Sequence, residues 1–446
     1  MNDIADMKQL KTTGKALGAG DYQPGFGNEF ETEAVAGALP KGQNSPQKVP
    51  LGLYSELVTG ASFYAPRHLN RRSYVFRIRP SVVSGEFQPW DGGDFRTPPL
   101  DVPPYPDRVY WTQRQDEGVS ADFLEGLLTL AGCGSPSMHE GLAVHFFRAT
   151  RSMEKRAFSN GDGEMLIVPQ QGELRIVTEF GVIEAQPSEM VLIPRGIKLR
   201  VELKGAFARG LVYENYGHPW MLPELGLIGS NGNANAIDFE APVASFEDED
   251  VQTQVIHKLA GRFWSIDIDH SPFDVVAWRG SLTPYKYDMR KFVSMGTATV
   301  DHPDPSIFCA LTSPSHDVSG CNADVMILPP RWVVGDHTLH LPGFHRNSVC
   351  EISSLVCGGP VTEGIDPNGG IRITNNWGAH GPDTKAFEAV RAQGSTDPHK
   401  VEDAISIMVE TRYPMEFTQV AMDMKERNHD INADWAGFIK RFPNGD

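Results

Sequence analysis

Residues 164–203 read EMLIVPQQGELRIVTEFGVIEAQPSEMVLIPRGIKLRVEL, and this stretch decides the fold. Apolar runs of four to six residues alternate in it with the turn sequences QQG, FG, QPS and PRG. Short apolar runs bounded by Gly, Pro or Ser are typical of β-strands, and strands that recur about every ten residues predict a β-sandwich or a jelly roll. We therefore expect a β-meander over this stretch.

The segments on either side continue the pattern. SYVFRI at 73–78 reads as a further strand, and a second meander is expected over about 292–375, with VMILPP at 325–330 and SSLVCGG at 353–359. The 44 glycines and 33 prolines also favour a chain with many turns. We predict a mainly β fold, a cupin-like jelly roll or β-sandwich, in two β-rich domains of residues 1–285 and 286–446.

A few helices are expected to flank the sheets. Apolar residues at helical spacing predict them at 121–130 (ADFLEGLLTL), at 383–393 and in the tail beyond residue 403.

Charge and composition exclude several classes of protein. The 57 acidic residues outnumber the 40 basic ones, which gives a net charge of −17 and argues against a basic nucleic-acid-binding face. Residues 1–20 are polar, and no apolar run approaches the ~18 residues of a membrane span, so we expect neither a secretory signal nor a membrane protein. Five cysteines without CxxC spacing indicate no disulfide framework, and a cytoplasmic location is the simplest expectation.

One set of residues in the second half has the composition of a metal site. Glu351 follows His345 by six residues, and His380 lies further on in WGAHGPD. If the chain reverses between His345 and Glu351, their side chains become cross-strand neighbours about 5 Å apart. Jelly rolls of the cupin type use such a His–Glu pair, followed by a Gly that Gly358 matches here, whereas Asn347 replaces the motif's second His.

Two imidazoles and one carboxylate on one face are the ligand set of non-haem Fe(II) oxygenases, which keep open positions for substrate and O₂. The alternative is that these residues are ordinary surface polar groups. His337 and His340 (HTLH) are competing candidates, although loop positions are expected for both.

Ordered sequence blocks extend along almost the whole chain. They include GFGNEF at 25–30, APR and NRRS at 65–73, TPYKY at 283–287, DHPDPSIF at 301–308, PPRW at 329–332, HRN at 345–347 and HGPD at 380–383. In these blocks the chain resembles the homogentisate 1,2-dioxygenase family, which cleaves the aromatic ring of 2,5-dihydroxyphenylacetate.

The resemblance implies a β-sandwich N-terminal domain and a cupin-like C-terminal domain that binds Fe(II). It carries the iron ligands over to His345, Glu351 and His380, and the acid/base histidine over to His302. It also implies a small aromatic substrate, O₂ as co-substrate, and a homo-oligomer, either a trimer or a hexamer. Because residues 164–203 contain no histidine, the N-terminal domain is expected to be free of metal.

Two positions depart from the family pattern. Pro360 stands where the family has a substrate-contacting Tyr, nine residues after the Glu ligand, and Thr374 stands where it has a His, six residues before the last ligand. The ligand set therefore looks intact while the pocket is changed, so the resemblance implies that the substrate is homogentisate or another substituted hydroquinone, and we expect it to be opened to a maleylacetoacetate-type product. A cupin that binds a phenolic ligand without turnover, or with a non-oxidative reaction, is the alternative. Whether Arg372, His337 or His340 replaces the missing groups stays open.

Overall fold

The structure is a computed structural model that describes residues 21–443, apart from 113–117, 119, 225–232, 302–303, 319, 342, 359–368 and 394–396. The described residues form many short strands and few helices, so the prediction of a mainly β chain is confirmed. Two α-helices lie in this part of the chain, α1 (Thr384–Gln393) and α2 (Gln419–Met422). Single turns of 3-10 helix are Pro50–Gly52, Pro136–Met138, Ala236–Asp238, Met289–Lys291, Pro305–Phe308 and Ile431–Trp435.

The strands are numbered in chain order. Those up to residue 288 are β1 (Tyr22–Pro24), β2 (Phe30–Glu33), β3 (Tyr54–Thr59), β4 (Arg72–Arg77), β5 (Gln88–Trp90), β6 (Val109–Trp111), β7 (Leu128–Ser135), β8 (Glu140–Ala149), β9 (Arg156–Asn160), β10 (Glu164–Gln171), β11 (Leu174–Thr178), β12 (Gly181–Ala185), β13 (Glu189–Ile193), β14 (Lys198–Leu203), β15 (Ala208–Asn215), β16 (Phe239–Pro242), β17 (Thr253–Leu259), β18 (Arg262–Ile268), β19 (Val275–Gly280) and β20 (Tyr285–Asp288). Those after it are β21 (Cys309–Ser313), β22 (Ala323–Leu328), β23 (Arg331–Val333), β24 (Cys350–Cys357), β25 (Ile371–Thr374), β26 (His399–Val401), β27 (Ile405–Thr411) and β28 (Glu416–Phe417).

Three sheets are built mainly from the first half of the chain. The strand orders are β1-β16-β20-β13-β10-β15-β8-β7-β28, β12-β11-β14-β9-β17-β18-β5 and β2-β19-β4-β3. The stretch 164–203 forms strands β10 to β14, as predicted, but it is not a simple meander. Strands β10 and β13 belong to the nine-stranded sheet, whereas β11, β12 and β14 belong to the seven-stranded one. The chain therefore alternates between two layers, and apolar residues of both layers are buried in one core.

The six-stranded sheet, in the order β21-β22-β27-β24-β25-β6, has two different faces. Successive side chains of a strand point to opposite faces. Ile352, Ile373 and Val409 belong to the large apolar core that also contains the nine-stranded sheet. Glu351 and Thr374, on the opposite face, are direct cross-strand partners. This second face carries the candidate site.

The two halves of the chain exchange strands. From the first half, β6 joins the edge of the six-stranded sheet and pairs with β25, and from the second half, β28 joins the nine-stranded sheet beside β7. Trp111 at the end of β6 donates its indole N–H to the Ala421 carbonyl of α2, with a distance of 2.7 Å. The boundary at residues 285/286 stays a prediction.

The helix predictions are confirmed in one segment, confirmed in part in a second and wrong in a third. The segment 383–393 contains α1. Residues 121–130 instead form turns followed by β7, because the Asp122 carboxylate accepts the N–H groups of Leu124 and Glu125 and the apolar residues that follow enter a buried strand. The tail beyond residue 403 begins with strand β27, whose apolar residues are buried in the six-stranded sheet, and its helix is limited to the short α2. From sequence alone, a run of apolar residues does not distinguish a buried helix from a strand that is covered on both faces.

Candidate metal centre

His345 and His380 are brought together by the backbone itself. They are partners in an isolated antiparallel bridge, in which each donates its N–H to the carbonyl of the other, at 3.0 and 3.1 Å. The two imidazole ring centroids lie 4.0 Å apart. The bridge fixes the spacing of the two side chains before any ligand binds.

Glu351 enters from the beginning of β24 and completes the group. Its carboxylate oxygens lie 3.3 Å from His345 Nε2 and 2.8 Å from His380 Nε2, one oxygen to each ring. Asn347 donates a further side-chain hydrogen bond to the oxygen that faces His345. A reversal of the chain between His345 and Glu351 would have made these two residues cross-strand neighbours. In the structure the cross-strand partner of His345 is His380, and Glu351 pairs with Thr374 and Glu410.

Backbone carbonyls set the orientation of both rings. His345 Nδ1 lies 2.8 Å from the Gly343 carbonyl oxygen, and His380 Nδ1 lies 2.9 Å from that of Gly378. Since a carbonyl only accepts, each Nδ1 carries the hydrogen, and a neutral ring then turns the lone pair of Nε2 toward Glu351. Lone pairs facing a carboxylate require a cation between them, either a proton or a metal ion. The donor set therefore fits a bound metal.

The distances also fit a common ion. All three ligand atoms lie within 4.8 Å of one another. Around an ion with bonds of about 2.1 Å, ligand atoms at right angles are separated by roughly 3 Å, and the two measured His–Glu separations agree with this. Within the described part of the chain, this is the group of His, Cys, Asp or Glu side chains that meets such a spacing.

Carboxylates dominate the electrostatics of this face. Burial alone would raise the pKa of Glu351, but hydrogen bonds with His345 and His380 lower it to about 2. Glu410 on β27 lies between Glu351 and Asp324 in register, so three acidic residues form a row across three strands. Burial and the charges of these two neighbours raise the pKa of Glu410 to about 8. This row could not be predicted from the sequence, because its members are far apart along the chain and meet only through strand register.

The other predicted site residues divide into two groups. Thr374 is buried, with 2% of its surface exposed, and lies on the same face as Glu351. His302 and Pro360 lie outside the described residues.

His337 and His340 lie in the loop after β23, as expected. His340 Nε2 lies 2.7 Å from the Gly335 carbonyl oxygen, and its Nδ1 lies 3.0 Å from Nδ1 of His399. His340 also lines a small surface cleft with Asp301 and Trp332, and none of the three clustered residues lines this cleft.

The N-terminal half contains a different arrangement of buried charges. Glu214 on β15 accepts hydrogen bonds from Lys258 Nζ on β17, from Tyr216 Oη at 3.0 Å and from Asn160 Nδ2 at 2.8 Å. His145 Nε2 lies 3.3 Å from the same carboxylate, and His145, Glu214 and Lys258 have no exposed surface. An ammonium group of the chain thus supplies the positive charge that this carboxylate requires. The expectation of a metal-free N-terminal domain stays a prediction.

No helix among the described residues is both long enough and apolar enough to cross a membrane.

Comparison with known proteins gives two family matches that follow one another along the chain. The family model described as homogentisate 1,2-dioxygenase N-terminal matches residues 21–289, and the one described as homogentisate 1,2-dioxygenase C-terminal matches residues 290–442.

Similar solved structures are distant in sequence. A protein of unknown function from Pseudomonas syringae pv. tomato is 9% identical with a TM-score of 0.30, and the match covers 69% of this chain and 100% of that one. A putative glyoxylate-induced protein from Pseudomonas aeruginosa is 8% identical with a TM-score of 0.29, covering 75% and 99%. A deletion mutant of oxalate decarboxylase from Bacillus subtilis is 8% identical with a TM-score of 0.27, covering 72% and 77%.

Proposed function

The chain belongs to the homogentisate 1,2-dioxygenase family, and from that premise we propose that it is an Fe(II)-dependent, extradiol-type ring-cleaving dioxygenase. The substrate is homogentisate or a related 2,5-dihydroxy aromatic compound, and both atoms of O₂ enter a ring-opened, maleylacetoacetate-type product. The observation that carries the proposal is the group of His345, Glu351 and His380, with its two imidazoles and one carboxylate within 4.8 Å.

In this proposal these three residues hold the iron through His345 Nε2, His380 Nε2 and a Glu351 oxygen. Three protein ligands leave positions for substrate and O₂. When bound, Fe(II) supplies the redox chemistry that joins O₂ to the ring, and it favours the ionised form of a coordinated ring hydroxyl. The carbonyls of Gly343 and Gly378 keep both imidazoles oriented, since each accepts the Nδ1 hydrogen.

Proton transfer is assigned to His302. Imidazoles ordinarily titrate at about pH 6.5, so a neutral His302 can take the proton of the second ring hydroxyl and return it later. The family resemblance of the DHPDPSIF block supports this role. A His302→Phe protein is expected to retain iron and to lose turnover.

The pocket is proposed to differ from that of the family. Thr374 and Pro360 stand where a His and a Tyr are expected, so two hydrogen-bonding groups are lost or exchanged. Sites that hydrogen-bond a substrate reject analogues strongly, and a change of such groups therefore alters substrate choice.

Assembly and location are proposed from the family alone. We propose a homo-oligomer, a trimer or a hexamer, in the cytoplasm, acting on a small aromatic molecule and O₂.

The test is O₂ uptake by protein loaded anaerobically with Fe(II), with homogentisate and then other 2,5-dihydroxy aromatics as substrates. We expect one O₂ consumed for each ring lost. Glu351→Gln is expected to reduce bound iron below one per chain and to abolish uptake. Glu410→Gln is the matched control, because it removes the neighbouring carboxylate and leaves the three ligands in place.

Uptake that survives Glu351→Gln, or equal loss of iron in both variants, would contradict the assigned ligands. Iron at one per chain with no uptake on any substrate would favour a protein that binds a phenolic ligand without oxidising it.

A further inference from the structure

Two histidines outside the candidate metal centre face each other through their ring nitrogens. His340 Nδ1 lies 3.0 Å from His399 Nδ1, and the two ring centroids are 4.9 Å apart. Neither residue belongs to the group of His345, Glu351 and His380. His399 is exposed and His340 is half-buried, so both rings can be reached from solvent.

Backbone contacts hold the two rings in place. His399 lies on β26 and is the register partner of Val333 on β23. The chain then turns at His337, whose φ is +50°, and brings His340 back beside the two strands. His340 Nε2 lies 2.7 Å from the Gly335 carbonyl oxygen, which fixes the ring against the start of the same turn. The spacing of the two Nδ1 atoms is thus set by the fold.

The tautomer of His340 leaves a lone pair directed at His399. A carbonyl oxygen only accepts hydrogen bonds, so Nε2 of His340 carries the hydrogen and Nδ1 of the neutral ring is bare. Burial and the charges of His340 and Arg331 lower the pKa of His399, which favours a neutral ring there as well. The lone pair is satisfied either by a hydrogen on His399 Nδ1 or by a metal ion between the two nitrogens.

The spacing of the pair fits a metal ion. Around an ion with bonds of about 2.1 Å, ligand atoms at right angles are separated by roughly 3 Å, and the Nδ1–Nδ1 distance of 3.0 Å agrees with this. Imidazole suits Zn²⁺, Cu²⁺ and Ni²⁺, whereas Mg²⁺ and Ca²⁺ prefer oxygen ligands.

Charged side chains of both signs neighbour the pair. The acidic ones include Asp301, which lines the same cleft as His340, and Asp336 in the turn. The basic ones are Arg331 on β23 and Lys400 on β26. Neither sign dominates, so recognition of an ion depends on the two ring nitrogens.

We propose that His340 and His399 bind a second metal ion, a divalent transition ion such as Zn²⁺, through their Nδ1 atoms, with water completing its coordination. The ion cross-links β26 to the loop after β23. Thr338 in that loop accepts the Asp301 N–H at 2.9 Å, so the segment that ends at Asp301 is tied to the same site. The inference does not depend on the proposed function.

The test is equilibrium dialysis of metal-free protein against Zn²⁺ at neutral pH. Wild-type protein is expected to bind two ions per chain. Glu351→Gln/His380→Gln, which lacks two of the three proposed iron ligands, is expected to bind one.

Further substitutions in this double variant locate the remaining ion. His399→Gln is expected to weaken its binding at least about 10-fold, because loss of a group that only orients a metal ligand already costs about 10- to 100-fold. His337→Gln is the matched control. It lies in the same loop, has 82% of its side chain exposed and is expected to leave binding unchanged.

A second readout uses Cu²⁺, which quenches the fluorescence of nearby indoles. Trp332 lines the same cleft as His340. Cu²⁺ added to the double variant is expected to quench a component of the tryptophan fluorescence that Trp332→Phe lacks, and Mg²⁺ is expected to have no effect.

Two results would overturn the assignment. One is wild-type protein that binds a single Zn²⁺ ion, all of which is lost in the double variant, because His340 and His399 then share only a hydrogen bond. The other is Zn²⁺ that stays bound in His399→Gln. The first needs no substitution at the pair, so the inference stays testable even if such variants do not fold. If Zn²⁺ binds at the pair while no aromatic compound is turned over, the proposed function fails and the second site is supported.

Discussion

Lys258→Met is expected to destabilise the protein through the carboxylate that it leaves behind. Lys258 and Glu214 are completely buried between two sheets, and Glu214 Oε1 accepts from the ammonium group. Methionine fills nearly the same volume, so packing is largely retained while the positive charge is removed. The substitution therefore isolates the electrostatic effect from that of a cavity.

The size of the effect can be worked out from Glu214. Burial alone would raise its pKa, but Lys258 and His145 hold it at about 2, against an ordinary value of 4.5. A difference of about 2.5 units corresponds to roughly 3 kcal/mol of folding free energy at neutral pH. Breaking one buried ion pair typically costs about 3–5 kcal/mol, so both routes give the same magnitude.

Urea unfolding at pH 7 measures the change, with Lys204→Met as the matched control. Lys204 pairs with Glu173 and Glu184 at the surface, where an ion pair contributes about 0–1 kcal/mol. The double variant Lys258→Met/Glu214→Gln is expected to regain part of the loss, because the uncompensated charge is gone.

The pH dependence has a defined sign. The folded-state pKa of Glu214 is depressed, so its contribution is complete above about pH 4.5 and is lost as the pH falls toward 2. The difference between wild type and Lys258→Met should shrink over that window. Equal unfolding midpoints for Lys258→Met and Lys204→Met, or no recovery in the double variant, would refute the reasoning.

Changes around the metal centre have separate expected outcomes. Gly358→Ala is expected to lower the free energy of unfolding by more than about 3 kcal/mol or to prevent folding. The reason is that φ of Gly358 is +107° and an added Cβ would lie 1.4 Å from the Asp403 carbonyl oxygen. Solubility and urea unfolding measure the effect, with Gly205→Ala as the control because an added Cβ there meets no other atom. Asn347→Ala is expected to weaken iron binding about 10-fold in a competition titration, since Glu351 loses a hydrogen-bond donor that orients it, and unchanged affinity would exclude that role. In metal-free protein the hydrogen bond with Glu351 raises the pKa of His345. The hydrogen bond therefore stabilises the folded state fully below about pH 6.5, and its contribution should be lost as the pH rises through the folded-state pKa of His345. A thermal unfolding midpoint that increases with pH over that range would contradict this expectation.

The metal group was predictable because its residues belong to short local blocks. His345 and Asn347 lie in HRN, Glu351 follows four residues after Asn347, and His380 begins HGPD. Residue type and spacing therefore identified the set. The pairing of His345 with His380 in a β-bridge could not be predicted from the sequence, because it depends on where the chain returns after β25.

Features that depend on pairing between strands far apart in the sequence could not be predicted from local sequence blocks. Asp324, Glu351 and Glu410 become neighbours only through the register of three strands. The segment 121–130 was wrongly predicted to be a helix. Its last residues belong to β7, which is buried on both faces and therefore lacks the alternation of apolar and polar residues that marks a strand with one exposed face. The alternation of strands between two sheets in 164–203 is likewise a property of packing, not of local sequence.

The exchange of β6 and β28 has a consequence for synthesis on the ribosome. When the first half of the chain has emerged, the edge of β7 still lacks the partner that residues 416–417 provide, and β6 has no sheet to join until β25 follows it about 260 residues later. The first half therefore cannot complete its hydrogen-bond ladders until the second half has been synthesised. Loss of the last 31 residues, from Glu416 onward, would therefore leave an open strand edge in the half of the molecule that was made first.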